Sequence, residues 1–137
     1  MVPVVLVGHG GLPAGLRHAA EMILGEQDRL GVVSLPPDGD PDAVHAELVA
    51  VLDQLGGTAA GALVLADLFG GSPANAAGRL ALADPKVAVV AGASLPMLLE
   101  VLTSAEETAD GLAAVAVESG RTAVTDVGAQ LRAAVRG

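Results

Sequence analysis

The chain has 137 residues, 52% of them hydrophobic, yet it carries one aromatic residue, Phe69, and no cysteine. Seven Lys and Arg against sixteen Asp and Glu leave a net charge of −9, which speaks against nucleic-acid binding, since that needs phosphate-neutralising bases and stacking rings. The lack of rings also excludes sugar binding by stacking, and the lack of cysteine excludes disulfides, thiolate metal sites and thiol nucleophiles. No charge-free apolar run approaches the ~18 residues of a membrane span, no basic start precedes Pro3 as in a signal peptide, and nothing requires an oxidising compartment. One cytoplasmic domain over residues 1–137 is expected.

Val2 to Val7 is a continuous apolar, β-branched run, the pattern of a parallel strand covered on both faces. After Gly10, Gly11 and Pro13, the residues Leu16, Ala20, Ile23 and Leu24 recur at helical spacing, and Gly25 closes the helix. Gly31 to Leu35 is a short second strand. Asp40-Pro41-Asp42 then reads as an N-cap, a first-turn proline and a first-turn acid ahead of the stripe Val44, Leu48, Val51, Leu55, with Gly56-Gly57 as the stop. Gly61 to Ala66 is a third apolar strand, Asp67 to Gly71 a loop, and Ser72-Pro73 the start of another helix by the same cap-and-proline logic. Val87 to Ala91 is the fourth strand. Ser94 to Pro96 starts a helix through Met97, Leu98, Val101 and Leu102, and a further helix runs from about Ala105 to Ser119, ended by Gly120. Alternating strands and helices predict an α/β fold with an open parallel four-stranded sheet and helices on both faces. Residues 121–137 are ambiguous: Val124, Val127, Leu131 and Val135 have helical spacing, while Thr122 to Val127 is equally compatible with a strand.

Two polar residues follow buried strands directly, His9 after the first and Asp67 after the third. In an open parallel sheet, ligands bind outside the carboxyl ends of the strands, where the connections diverge to opposite faces. With the strand order 2-1-3-4, His9 and Asp67 flank that crevice. A neutral imidazole is nucleophilic at one nitrogen only, and a carboxylate that holds the proton on the other fixes the tautomer and stabilises developing positive charge. Downstream, Gly70-Gly71-Ser72-Pro73-Ala74-Asn75 combines glycines with a helix start, so free N–H groups and the positive end of a helix dipole face the crevice as an anion site. Pro73 has no N–H, which leaves the amides of Gly71, Ser72, Ala74 and Asn75, with the Ser72 hydroxyl either capping the helix or touching the ligand. A capped helix after a tight turn accounts for Ser72-Pro73, but not for the glycine pair beside a carboxylate and an opposing histidine. Neither motif contains a base, a Walker-type lysine is absent and no G-x-G-x-x-G follows the first strand, so backbone dipoles rather than charge would hold a phosphate. Phe69 stands between Asp67 and the glycines, placed to wall the crevice or meet a partner. His18 should face water and His45 should be a partly buried surface residue. No pair of ligands has metal spacing, and no cofactor is called for.

The segments VLVGHGGLPAGL around His9, ADLFGGSPANAA from Ala66, AGASLPMLLEVL from Ala91 and AVAVESGRTAV from Ala114 together resemble the enzyme IIA component of the mannose family of the bacterial sugar phosphotransferase system. The resemblance covers nearly the whole chain, and the D-x-[FW]-G-G-S-P-x-N-A-A stretch is specific. It implies a phosphorylated histidine at His9, an aspartate on its other ring nitrogen at Asp67, and a segment around the phosphoryl group at Gly71 and Ser72. It further implies a carrier that takes a phosphoryl group from the phosphocarrier HPr and gives it to a separate IIB protein, within a homodimer that exchanges a C-terminal strand. The chain departs from the pattern at Gly8, where a small hydroxyl residue commonly precedes the histidine, at Gly11, where a bulky residue is frequent, and at Phe69, commonly tryptophan. A phosphotransfer subunit of dihydroxyacetone kinase is the second reading. A receiver domain would need acids after the first strand and a lysine after a later one, which are absent. A non-catalytic anion-binding module would need neither His9 nor Asp67.

Overall fold

The computed structural model describes residues 1–37 and 39–137. Four strands, β1 (Val4–His9), β2 (Leu30–Leu35), β3 (Ala62–Ala66) and β4 (Val87–Ala91), form one sheet in the order β2-β1-β3-β4. All three pairings are parallel, with Val4 opposite both Leu30 and Leu63, and Ala62 opposite Val87. The helices are α1 (Leu12–Leu24), α2 (Pro41–Gln54), α3 (Ser72–Ala83), α4 (Leu95–Thr103), α5 (Ala109–Thr122) and α6 (Val127–Arg136). The predicted class and strand order are those observed, with strand ends shifted by one or two residues.

The unbroken apolar runs of the central strands follow from the period of two in a strand, since both sheet faces are covered. Val4 and Leu6 of β1, with Leu63 and Leu65 of β3, pack on α1, α4 and α5 through Ala20, Leu98, Val101 and Leu112. Val5, Val7 and Val64 point the other way, onto Val44, Leu48 and Leu52 of α2 and Ala76 and Ala77 of α3. The alanines let α3 lie close to the carboxyl end of the sheet, and no ring is needed to fill either layer. Among the described residues no strand pairs the outer side of β4, an edge strand, and its residues Ala88, Val89 and Ala91 are only half-buried.

Three local expectations are corrected. Ile23, expected in the packed stripe of α1, is 59% exposed; the helix packs instead through Pro13 and Ala20, with Leu16 and Leu24 half-buried. Gly120 does not end a helix but lies inside α5, where a Cβ would meet the Met97 methyl at 2.6 Å, so the missing side chain serves the α4–α5 contact. That helix also begins at Ala109, capped by the Thr108 side chain on the N–H of Gly111. For the ambiguous C-terminal stretch, the helical alternative is the one observed: α6 starts behind an Asp126 cap, and residues 123–126 form no strand. His18 is exposed and His45 half-buried, as expected. Among the described residues, no helix is long and apolar enough to cross a membrane.

At the amino ends of the strands, Arg29 ties the layers together. Its guanidinium donates to the carbonyl of Val2 at 3.4 Å and to those of Val101 and Leu102, each at 3.2 Å, at the end of α4. The Leu102 carbonyl is among the last of α4, where intrahelical donors run out, and the Val101 carbonyl also accepts from the Ser104 N–H at 3.3 Å. Replacing Arg29 by Met is expected to lower stability by about 1–3 kcal/mol, measured by urea unfolding followed by far-ultraviolet circular dichroism; an unchanged midpoint would show the contacts to be idle.

Candidate functional site

His9 is the last residue of β1, and Asp67 directly follows β3. Because β1 and β3 are neighbours in register, with Val7 opposite Ala66, the two residues meet at the carboxyl end of the sheet despite the 58 positions between them. The Asp67 N–H donates to the Val7 carbonyl at 3.1 Å, extending the ladder one step past the strand. The carboxylate then folds back: Oδ2 accepts from the His9 backbone N–H at 2.9 Å and lies 2.8 Å from His9 Nδ1, while Oδ1 accepts from the Leu68 N–H at 2.9 Å. The Asp67 side chain is 7% exposed and that of His9 48%.

This geometry fixes the chemistry of both groups. Burial on its own would raise the carboxyl pKa of Asp67, but the hydrogen bonds from the His9 backbone and ring, the attraction of an imidazolium and the Leu68 N–H together hold it below the usual aspartate value. Asp67 is therefore ionised at neutral pH and can only accept. Its contact with Nδ1 requires the proton of a neutral ring to sit there, which leaves the lone pair on Nε2. Gly8 makes room for the carboxylate, since a Cβ at that position would lie 2.9 Å from Asp67 Cγ and Oδ2. The space that a hydroxyl side chain would enter is occupied here by the aspartate.

The loop after β3 turns back at Gly70, whose φ of +91° is the left-handed region that favours glycine. Gly71, not Ser72, is the N-cap of α3; Ser72 is the first helical residue and Pro73 follows it in the opening turn. A Cβ on Gly71 would stand 3.2 Å from His9 Cε1 and 3.3 Å from a Leu68 methyl, so glycine lets the helix start abut the ring. Among the described residues, the N–H groups of Ser72 and Ala74 and the Ser72 hydroxyl have no partner within the chain. The Asn75 N–H does: it donates to the Gly71 carbonyl at 2.9 Å, so of the expected amides that one is already used, and only the exposed Asn75 side chain remains for a ligand. Free amides at a helix start beside an uncommitted Nε2 suit a dianionic group.

Phe69 is 90% exposed, so in the single chain it does not wall the crevice as expected; it borders an open groove between α3 and β4 with Ala74, Leu82 and Val89. Leu68, which sequence reasoning passed over, is the residue whose N–H holds Asp67 Oδ1. Arg79, on the helix that starts at this loop, is bound to Asp42 of α2 through Nη1 at 2.7 Å, and Arg17 is held by Glu21 at 3.2 Å. A concavity also lies at the opposite end of the sheet, around Val2, Arg29 and Glu106, among acids that would repel an anion.

The family described as EIIA-man, PTS system fructose IIA component, matches residues 3–117. The chain belongs to this family. Among relatives of this mannose-type IIA chain, the PTS system mannose-specific EIIAB component of Escherichia coli strain K12 is 37% identical over 125 residues, which are 90% of this chain and 38% of the relative. The chain thus spans well under half of that protein. The PTS system sorbose-specific EIIA component of Lacticaseibacillus casei is 35% identical over 102 residues, 74% of this chain and 72% of the relative. Among solved structures, the mannose/sorbose specific IIA subunit of the phosphotransferase system from Enterococcus faecalis superposes with a TM-score of 0.85 at 35% identity, covering 93% of this chain and 96% of its own.

The lowered pKa of Asp67 has a definite sign in stability. A carboxyl whose pKa is depressed on folding contributes stability above its unfolded value, and that contribution is lost as pH falls through the folded value. Against an Asp67→Asn variant, the native chain is expected to hold a stability advantage at neutral pH that shrinks below about pH 4. Parallel urea titrations at neutral pH and at pH 3 test this; a difference independent of pH would contradict the assignment.

Proposed function

We propose that residues 1–137 form one phosphohistidine carrier domain of a sugar phosphotransferase system, with His9 Nε2 as the atom that holds the phosphoryl group. The observation that carries this reading is the 2.8 Å contact between His9 Nδ1 and Asp67 Oδ2, which leaves Nε2 free beside the unpaired amides of Ser72 and Ala74.

In this scheme a phosphohistidine on an HPr-like phosphocarrier approaches His9. The Nε2 lone pair attacks phosphorus, a new N–P bond forms, and the donor's N–P bond breaks with its electron pair returning to the donor imidazole. His9 keeps its Nδ1 proton and becomes a phosphorylated imidazolium, whose positive charge the Asp67 carboxylate offsets. The amides around Gly71, Ser72 and Ala74, with the Ser72 hydroxyl and the Asn75 side chain, receive the phosphoryl oxygens. The same displacement in reverse passes the group to a IIB partner, which phosphorylates the sugar during uptake. No cofactor enters either step, and the work belongs in the cytoplasm. The chain's charge of −9 suits partners whose docking faces are basic.

We further read the chain as a homodimer. Support comes from the unpaired outer edge of β4 and from α6, which buries no residue while Val127, Leu131 and Val135 on one of its faces are 61%, 63% and 88% exposed. In this reading the segment after α5 reaches the second copy.

Incubation with radiolabelled phosphoenolpyruvate, enzyme I and HPr is expected to label the chain once, with acid-labile and alkali-stable chemistry. His9→Ala should abolish the label, and Asp67→Asn should slow its appearance about 10²-fold, the scale set by removing one charge-stabilising partner. Label retained in His9→Ala would sink the assignment. Sedimentation equilibrium should return twice the mass of one chain, and a single-chain mass across the micromolar range would remove the dimer.

A further inference from the structure

Asp67 borders a void that the transfer scheme does not use. The space, about 150 Å³ and too narrow to admit a water molecule, lies over β1 and is walled by Leu12, Pro13 and Leu16 of α1, by Leu65 of β3 and by Ala93. Among the described residues, Asp67 is the only polar residue on its walls, and Leu12, 48% exposed, is the only one classed as exposed to solvent. The walls offer the carboxylate no hydrogen bond. Their side chains are hydrocarbon, Pro13 has no N–H, and the Ala93 N–H already donates to the Ala66 carbonyl at 3.0 Å.

The donors to Asp67 among the described residues come from His9 and Leu68 alone, two backbone N–H groups and the ring Nδ1. A carboxylate accepts at about four positions, so the Asp67 side chain, 7% exposed, has room for one more donor that the void does not admit. A carboxylate short of solvating dipoles attracts a neighbouring positive charge more strongly, because the same 2.8 Å contact acts through a lower local dielectric. Water in the void would weaken that attraction. Leu12, three positions after His9, stands where the void meets solvent.

We propose that Leu12 is a positioning residue for phosphoryl transfer: it seals the void beside Asp67 against water, so that the carboxylate's charge is directed to the His9 ring. The inference rests on the carrier reading of His9 and deepens it by naming a residue that acts through Asp67. With the seal in place, the imidazolium formed when Nε2 takes the phosphoryl group is the partner that Asp67 lacks. With the seal removed, water gives Asp67 a further hydrogen bond before and after transfer alike, and its preference for the cationic ring falls.

Leu12→Ala opens the void, and Leu12→Met keeps its volume; both are compared with the native chain, alone and combined with Asp67→Asn. The phosphoryl donor is phosphoramidate, whose P–N bond breaks with release of ammonia as Nε2 bonds to phosphorus, so that no protein docking enters the rate. Leu12→Ala is expected to take label about tenfold more slowly than the native chain, the scale on which changes behind a reacting group are felt. Leu12→Met should stay within about twofold of native. In the Asp67→Asn background, Leu12→Ala should add less than about twofold, since the charge it acts through is gone. The ¹⁵N shifts of the His9 ring need no phosphoryl group: the Nδ1–H tautomer should lose population to Nε2–H in Leu12→Ala and not in Leu12→Met. A native labelling rate or native ring shifts in Leu12→Ala would overturn the proposal. So would a loss of the same size that persists in the Asp67→Asn background, or a Leu12→Met chain as slow as Leu12→Ala. Failure of the native chain to take label at all would refute the carrier reading itself, a distinct result, and the ring shifts would still test the seal.

Discussion

Everything at the site depends on the side-by-side pairing of β1 and β3. Only because these strands are parallel neighbours, with β2 outside β1, do residues that follow them by one step face each other across a gap that a hydrogen bond can close. The same crossing sends α1 to one face of the sheet and α3 to the other, so the crevice between their starts is open to solvent above the strand ends. The core protects that pairing from both sides with Leu, Val, Ala and Met97, without a ring. Its cost in sequence is strict: the strands can carry no polar residue before the last position, which is why the first polar residues of each are also the first candidates for chemistry.

Within the site, the electrostatics rest on one charge. Asp67 accepts from two backbone N–H groups and stands on Nδ1, so its carboxylate is fixed in position before any ligand arrives. An aspartate held so firmly needs no rearrangement when the ring it faces turns cationic, and preorganisation of this kind is where electrostatic stabilisation is most effective. The complementary charge on a phosphoryl group is left to backbone dipoles and to whatever a partner brings. On the proposed carrier reading the arrangement favours transfer over storage, because Arg17 and Arg79, on the two helices that start at the site, are both paired with acids.

Much of this was legible in the sequence, for a simple reason. Buried strands are constrained at every position, and Val2 to Val7 and Gly61 to Ala66 therefore announce themselves, together with the residues at their ends. Helix faces are constrained at fewer positions. Ile23 has the right spacing for the core and still points outward, because Pro13 and Ala20 set the rotation of α1. Gly120 carries the same letter as a helix stop but serves a Met97 contact that depends on where α4 lies. Ser72 looked like a cap, yet Gly71 takes that position and the Asn75 N–H is spent on it; which of adjacent small residues ends a loop depends on backbone angles. Arg29 gave no signal at all, since its three carbonyl partners come from elements 27 to 73 positions away.

The single ring at position 69 has an optical consequence. With no tryptophan or tyrosine, the protein is nearly transparent at 280 nm and does not fluoresce in the usual window, so conventional absorbance would understate its concentration severely. The same darkness is useful. A tryptophan placed at the 90% exposed position of Phe69 would be the sole emitter in the chain, two positions after Asp67 and free of background, and its colour would report the arrival and departure of whatever covers that loop.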